Sequence, residues 1–401
     1  MQKLFAKYIN TFKGLSQEIW LLAGITLVNR AGMMVIPFLS IYLTKELEFS
    51  YQQVGWVMTC FGLGSLTGAW SGGKLTDKIG GHKVMIGSFF LGGLGYIAIQ
   101  YLHDFQSLCI GVFLLTLLAD AFRPALFVAM SNYSKPENKT RSVTLIRLAI
   151  NLGMSLGPAV GGALILYYGY GSLFWIDGIT NCMAGILLIV LLNPKKRKIL
   201  DEQITVCNPL SPYKDIYFLL LLAGIYIFTI AFLQYFSSMP VYYREAKRLT
   251  EGEIGLLMGL NGMLIFLFEM PFVQFFESKN YNKVKLLIIG MGLLAISFLI
   301  LPFFDWTGII VFSILFMTFG EMLVFPFGNA LAVLRAKKGN QGAYMALFSM
   351  NFSVAHIFGH TIGMQSIEHL GFDYTWLVVT GVGVIGMLVL AYLLSYARKN
   401  N

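Results

Sequence analysis

The chain reads as an all-α membrane protein, with twelve transmembrane helices arranged as two pseudo-symmetric six-helix bundles. Three observations lead there. Only 12% of its 401 residues are charged against 57% hydrophobic, and the mean hydropathy is +0.70, whereas a soluble protein carries about 25% charged residues. Apolar stretches of about 20 residues, the length that crosses a bilayer core, recur along the whole chain. Short sequences also repeat at an offset of 200: Leu21-Leu22-Ala23-Gly24-Ile25 returns as Leu221-Leu222-Ala223-Gly224-Ile225, Val54-Gly55 is answered by Ile254-Gly255, and Lys83-Val84 by Lys283-Val284.

Residues 1–17 come first, where Lys3, Lys7 and Lys13 among Leu4, Phe5, Tyr8 and Phe12 predict a short amphipathic helix on the inner leaflet. The first bundle, 18–193, follows with spans near 18–44, 51–73, 84–102, 106–132, 142–168 and 171–193. No cleavage-site pattern follows the first of these, so it is a retained span and not a signal peptide. A polar linker, 194–214, leads into the second bundle, 215–397, with spans near 215–243, 251–276, 284–303, 306–334, 341–367 and 373–396. Breaks rich in charge, Asn, Pro and Gly set the boundaries.

Of the 29 Lys and Arg residues, 22 fall on one side, four (Lys45, Arg244, Lys247 and Arg248) on the other, and three (Arg30, Arg123 and Arg147) inside spans. This bias places both termini in the cytoplasm, as expected for a bacterial inner membrane. It also explains the net charge of +9 by lipid and topology, with no nucleic-acid partner. Cys60, Cys109, Cys182 and Cys207 have no CxxC spacing and suggest neither disulfides nor zinc. Parallel six-span halves are the architecture of a rocking carrier with its site at the midplane; a monomer and a small-molecule cargo are expected, with no cofactor.

Between spans two and three runs Gly72-Gly73-Lys74-Leu75-Thr76-Asp77-Lys78-Ile79-Gly80-Gly81-His82-Lys83-Val84. Its glycines allow a tight reversal, and Asp77 can accept N–H bonds at a nearby helix start. The loop resembles the signature of the major facilitator superfamily, and the resemblance extends to the twelve-span layout. It implies that Gly73, Asp77, Lys78, Gly80 and Lys83 latch the two halves in the outward-open state. Gly81-His82 stands where that pattern usually has two basic residues, so a weaker charge network is expected.

Span five carries Gly153, Gly157, Pro158, Gly161 and Gly162. Glycines four apart make a smooth ridge for a neighbouring helix, and Pro158 bends the chain. The run is similar to a motif of the superfamily's proton-coupled exporters, which implies export; close packing alone explains it equally well. On the same helix Thr144, Arg147, Asn151 and Ser155 form a polar stripe, expected to line an aqueous cavity.

Ionisable residues inside spans are functional candidates. Arg30, Asp120, Arg123, Glu321 and His356 lie near mid-membrane by counting from the loops. Asp120 and Arg123, three apart, can pair, and Arg30 can compete for the same carboxylate. Glu321 has no basic neighbour in its own span, which makes it the leading proton carrier, followed by Asp120, Glu269 and His356. The cavity candidates are Arg30, Asn29, Arg123, Arg147, Asn151, Gln234, Tyr235 and His360. Asp177, near the outer end of span six, is expected to reach the interface.

His356 and His360 lie four apart but enclose no Glu, so the zincin pattern is absent and hydrogen bonding is favoured over metal binding. No nucleotide-binding glycine loop or nucleophile elbow is present. Resemblance to twelve-span drug:proton antiporters, to which Ala119–Ala125 of span four adds, implies proton-coupled efflux. Asn29-Arg30, Ile150–Gly153 and Gly320-Glu321 resemble scattered elements of proton-dependent oligopeptide transporters. That implies the alternative, symport of a zwitterion, although that family's two span-one acids are replaced by Thr26 and Asn29. A membrane-embedded metalloenzyme using the two histidines is the third reading.

Overall fold

A computed structural model describes residues 14–134, 139–193, 210–279, 281–336 and 341–399. The expected amphipathic segment up to residue 13 and linker residues 194–209 lie outside these. Helices carry the described chain: α1 (Gln17–Ala31), α2 (Val35–Lys45), α3 (Tyr51–Ile79), α4 (Gly81–Ile99), α5 (Phe105–Asp120), α6 (Phe122–Tyr133), α7 (Lys139–Tyr168) and α8 (Gly171–Leu191). After a 3-10 turn at Pro212–Lys214 come α9 (Ile216–Phe232), a second 3-10 turn (Leu233–Phe236), α10 (Ser238–Glu245), α11 (Glu251–Ser278), α12 (Lys283–Leu299), α13 (Ile309–Ala336) and α14 (Gln341–Lys399). In hydrocarbon a helix satisfies its backbone within one segment, which is why apolar sequence of this length takes this form.

Among the described residues nine helices are long and apolar enough to cross a membrane. α3 and the 17-residue α12 lie outside that set. The last of the nine turns at Gly371, whose φ of 77° and ψ of 178° suit glycine. Dividing there and adding α3 and α12 recovers the twelve expected spans. One boundary differs: the stretch 74–83 is not an extended loop, because α3 runs on to Ile79 and only Gly80, at φ 89°, separates it from α4.

The repeat is also written in the backbone. Glu48 and Arg248, 200 residues apart, are the two non-glycine residues with positive φ among those described, at 54° and 56°. Around them Phe49 N–H donates to Leu43 O and Leu249 N–H to Tyr243 O, each at 2.9 Å.

The chain forms two compact units. Unit 1 comprises the described parts of Met1–Ile36, Gly64–Asp201 and Glu251–Met263; unit 2 comprises Pro37–Leu63, Glu202–Thr250 and Leu264–Asn401. Unit 1 has a core of Ile19, Leu22, Met85, Ala125, Ala184 and Leu188, each at most 4% exposed, with Phe89 against Phe122 at 4.8 Å. It takes in 251–263 because Ser155 Oγ donates to Gly259 O at 2.7 Å and a Cβ on Gly262 would lie 2.6 Å from Ser155 Cβ. Unit 2 packs Phe298 and Tyr242 on the buried Trp376. It takes in 37–63 because Thr59 meets Thr361 hydroxyl to hydroxyl, and Thr361 Oγ1 donates to Gly55 O at 3.0 Å. Trp70, Leu94, Ile110 and Leu388 are exposed, as side chains facing lipid are.

Candidate functional site

In unit 1 the first span is broken between Ala31 and Val35. The opening N–H groups of the second segment have no helical acceptor, and a buried carboxylate is a favourable partner for them. Asp177 of α8 fills that role: its oxygens accept from Met34 N–H at 2.9 and 3.1 Å and from Val35 N–H at 2.9 Å. Asp177 is 0% exposed, which corrects the expectation that it reaches the interface. Beside it Asn29 Nδ2 donates to Asn181 Oδ1 at 2.8 Å, and Asn181 Nδ2 donates back to Asp177 O. Asn29, a cavity candidate, thus ties span one to span six.

Arg30 sits in the last turn before this break. Its Nη1 donates to Met33 Sδ at 2.7 Å, and its guanidinium lies 5.8 Å from the Phe122 ring centroid. The buried Nε has no hydrogen-bond partner among the described residues. Arg123 Nε pairs with Asp120 Oδ1 at 3.0 Å, as the three-residue spacing suggested, while the buried Asp120 Oδ2 has no hydrogen-bond partner among the described residues. Arg30 interacts electrostatically with both Arg123 and Asp120, and with Tyr96. Asp120 thus pairs directly with Arg123 and attracts Arg30 at longer range.

The span-five ridge is what lets Arg30 lie there. A Cβ on Gly153 would stand 2.5 Å from Arg30 Cβ, and one on Gly157 would stand 3.2 Å from the Ala31 and Met33 carbonyls. Gly162 faces Glu251 and Gly255 instead, so the run serves two neighbours; Pro158 and Gly161 are buried within it. Ser155, expected in the aqueous stripe, is 3% exposed and spent on Gly259 O. Arg147 and Asn151 are half-buried, and each has a polar, ring or electrostatic partner.

In unit 2 Gln234 is fully buried: Nε2 donates to Gly359 O at 2.6 Å and Ile230 O at 3.1 Å, and Oε1 accepts from Ser238 Oγ at 2.7 Å. It holds the interrupted seventh span to the eleventh. Its neighbour Tyr235 is buried, stacks on Phe232 and interacts electrostatically with Glu321. Glu321 is half-buried and Glu269 8% exposed, and each has a polar or electrostatic partner. His356 Nδ1 and His360 Nε2 share a hydrogen bond of 3.0 Å beside Phe61, and the buried His360 Nδ1 has no hydrogen-bond partner among the described residues. Among the described residues no three His, Cys, Asp or Glu groups come together to hold a metal.

Of the latch residues, the Asp77 side chain lies outside the described set. Gly73 is open, Gly80 marks the break, and Lys78 and Lys83 are exposed. His82, where the family pattern has a basic residue, bonds through Nε2 to Leu192 O at 2.9 Å and fastens this corner to the end of span six. The sequence reading missed a cluster at the start of span seven. Arg335 donates to Asp215 twice, Nε to Oδ2 at 2.5 Å and Nη2 to Oδ1 at 2.8 Å, and Tyr344 O–H donates to Oδ2 at 2.8 Å. Burial pushes the Asp215 carboxyl up, but these donors and the Phe218 N–H outweigh it and hold it below the usual carboxylate range. Asp215 just before an apolar run was the available signal, since it reads as a helix cap.

The model of the Major Facilitator Superfamily matches residues 20–360 and 245–401 of this sequence. The chain belongs to the major facilitator superfamily. It is accordingly an integral membrane protein and a secondary transporter of a small molecule, not an enzyme. Among superfamily members it is similar to the uncharacterized MFS-type transporter YqjV of Bacillus subtilis strain 168, with 25% identity over 93% of this chain and 92% of that one. It is also similar to a Na(+), Li(+), K(+)/H(+) antiporter of Planococcus maritimus, 19% identical over 94% and 96%. Among solved structures, a POT family transporter in complex with 5-aminolevulinic acid superposes with a TM-score of 0.78 over 97% of both chains at 14% identity, which shows the shared fold.

Proposed function

We propose that this transporter couples a small molecule to protons by alternating access, as an antiporter that exports a cargo bearing an anionic group. The observation that carries the cargo class is the buried Arg30 Nε without a hydrogen-bond partner among the described residues, next to Arg123, with Asp120 paired directly to Arg123 and attracting Arg30 at longer range. Uncompensated positive charge inside a membrane is costly, and a carboxylate offers it charge-assisted hydrogen bonds. Export is supported by the span-five glycine run and by the full-length similarity to a cation/proton antiporter. Glu321 is the first proton carrier, with Asp120, Glu269 and His356 behind it, and a single chain in the inner membrane with cytoplasmic termini performs the cycle.

Symport of a zwitterion is the second reading. Arginines in the first sequence half with Glu269 and Glu321 in the second favour it, since these suit a carboxylate and an ammonium respectively.

The test is a cargo screen in proteoliposomes under an imposed pH gradient. Accumulation against the direction of proton flow marks antiport; accumulation with it marks symport. Arg30→Ala is expected to weaken an anionic or zwitterionic cargo about 10- to 100-fold, the value of a hydrogen-bonded charge, and a cationic one far less. Equal losses for all cargo charges would assign Arg30 a structural role.

A further inference from the structure

Unit 2 contains a crevice of about 840 Å³ between the ends of α11, α13 and α14 and the starts of α9 and α12. Its lining includes the apolar Phe276, Phe327, Leu331, Leu334 and Leu394. The polar part of the lining includes Lys283, Arg335 and Glu277 with Tyr217, Tyr281 and Tyr396. Lys283 is half-buried and makes no hydrogen bond or ion pair with a described residue. Arg335 commits Nε and Nη2 to Asp215, which leaves Nη1 uncommitted. Lys279, Lys285, Arg398 and Lys399 stand nearby in sequence, so the surroundings are strongly positive despite Glu277.

We propose that this crevice binds an anionic phospholipid of the inner leaflet. The headgroup phosphate lies between Lys283 Nζ and Arg335 Nη1, and the proximal acyl carbons lie on Phe276 and Leu334. Charge complementarity selects the class. A basic pocket between helices on the cytoplasmic side takes anionic headgroups, and tyrosines at its mouth suit the headgroup level of a bilayer. Arg335 already shares its charge with Asp215, so a zwitterionic lipid would leave Lys283 and the basic residues around it uncompensated, and a free phosphate would leave the apolar lining wet. Because Arg335 also holds Asp215, which in turn accepts from Tyr344 O–H, the lipid would brace the cytoplasmic ends of spans seven, ten and eleven. The inner leaflet follows from the charge-based orientation proposed above; the binding itself does not, and the experiment reads binding.

The experiment is thermal unfolding of the full chain in neutral detergent, titrated with phosphatidylglycerol, phosphatidylcholine or glycerol 3-phosphate. Phosphatidylglycerol is expected to raise the midpoint by about 5 °C, as a ligand that binds only the folded state does, and the other two to raise it little. Lys283→Gln should lose most of the rise, while Lys74→Gln, a basic position outside the crevice, should keep it. Leu334 is 48% exposed, so Leu334→Glu is compatible with folding; it should abolish the rise by placing a carboxylate on the acyl wall, and it serves if Lys283→Gln is not recovered folded. An equal rise with phosphatidylcholine, a full rise with glycerol 3-phosphate, or an undiminished rise in Lys283→Gln or Leu334→Glu would each overturn the assignment.

Discussion

In the first span the helix stops at Ala31 and restarts at Val35; in the seventh it tightens into a 3-10 turn over Leu233–Phe236 and restarts at Ser238. The two interruptions sit about one repeat apart, and so do the positive-φ turns at Glu48 and Arg248 that close these spans. The chemistry that stabilises the breaks differs. A buried carboxylate, Asp177, answers the freed N–H groups of the first, and a neutral amide, Gln234, ties down the second through Gly359 O and Ser238. The repeat therefore preserves backbone shape while leaving each half free to place charge. In the first half the break lies next to Arg30, Asp120 and Arg123; in the second it lies next to Tyr235 and Glu321.

The largest effect should come from removing the carboxyl cap. Asp177→Ala leaves two backbone donors in the protein interior, and at about 1–3 kcal/mol for each unsatisfied group the yield of folded protein should collapse. Size-exclusion profiles of the solubilised variant check this. A normal monodisperse peak with unchanged melting temperature would make the Asp177 contacts incidental and erase the contrast between the breaks.

Next in size is the loss of coupling in the other half. Glu321→Gln should abolish pH-gradient-driven transport and keep cargo exchange without a gradient, because exchange need not move a proton. Parallel counterflow and gradient assays separate the two. Driven transport with unchanged proton stoichiometry would pass the role to Glu269 or His356.

The amide tie should matter less than the carboxyl cap. Gln234→Ala loses its bonds to Gly359 O and Ser238 but strips no restarting helix of the acceptor for its first N–H groups, so a cost of about 1–2 kcal/mol is expected. Melting of Gln234→Ala and Asp177→Ala side by side measures the difference; a larger loss at Gln234 would reverse the comparison.

How much of this could be read in advance follows from what hydropathy reports. Twelve spans, the repeat and the Asp120–Arg123 pair follow from length, offset and spacing. The breaks do not, because neither Gly32-Met33-Met34 nor Leu233–Phe236 contains a proline or a charge to mark it within its span. Asp177 was misplaced for the same reason: depth counted from the loop ignores a helix end buried deep beside it. A carboxylate four residues before Asn181 in an apolar span was a usable sign of an internal tie. The helical stretch from Lys74 to Ile79 was missed because its charges, flanked by Gly72-Gly73 and Gly80-Gly81, read as a loop, whereas a helix can project past the bilayer.

The smallest effect concerns a tie confined to the second half. The Asp215 carboxyl is held below the usual carboxylate range, where its burial is outweighed by Arg335, Tyr344 and Phe218 N–H. A group whose folded pKa is depressed adds stability above its unfolded value of about 3.9, and that stability is lost as the pH falls through that value toward the folded one. The melting temperature of the wild type should therefore fall with acidification below about pH 4.5 by roughly 2 °C more than that of Asp215→Asn, which has no proton to gain there. The corresponding residue of the first half is Leu15 at the same offset, so no matching component should come from that side. If Asp215→Asn loses as much on acidification as the wild type, the acid sensitivity belongs to other carboxylates, and the Arg335 tie is not what distinguishes the cytoplasmic ends of the two halves.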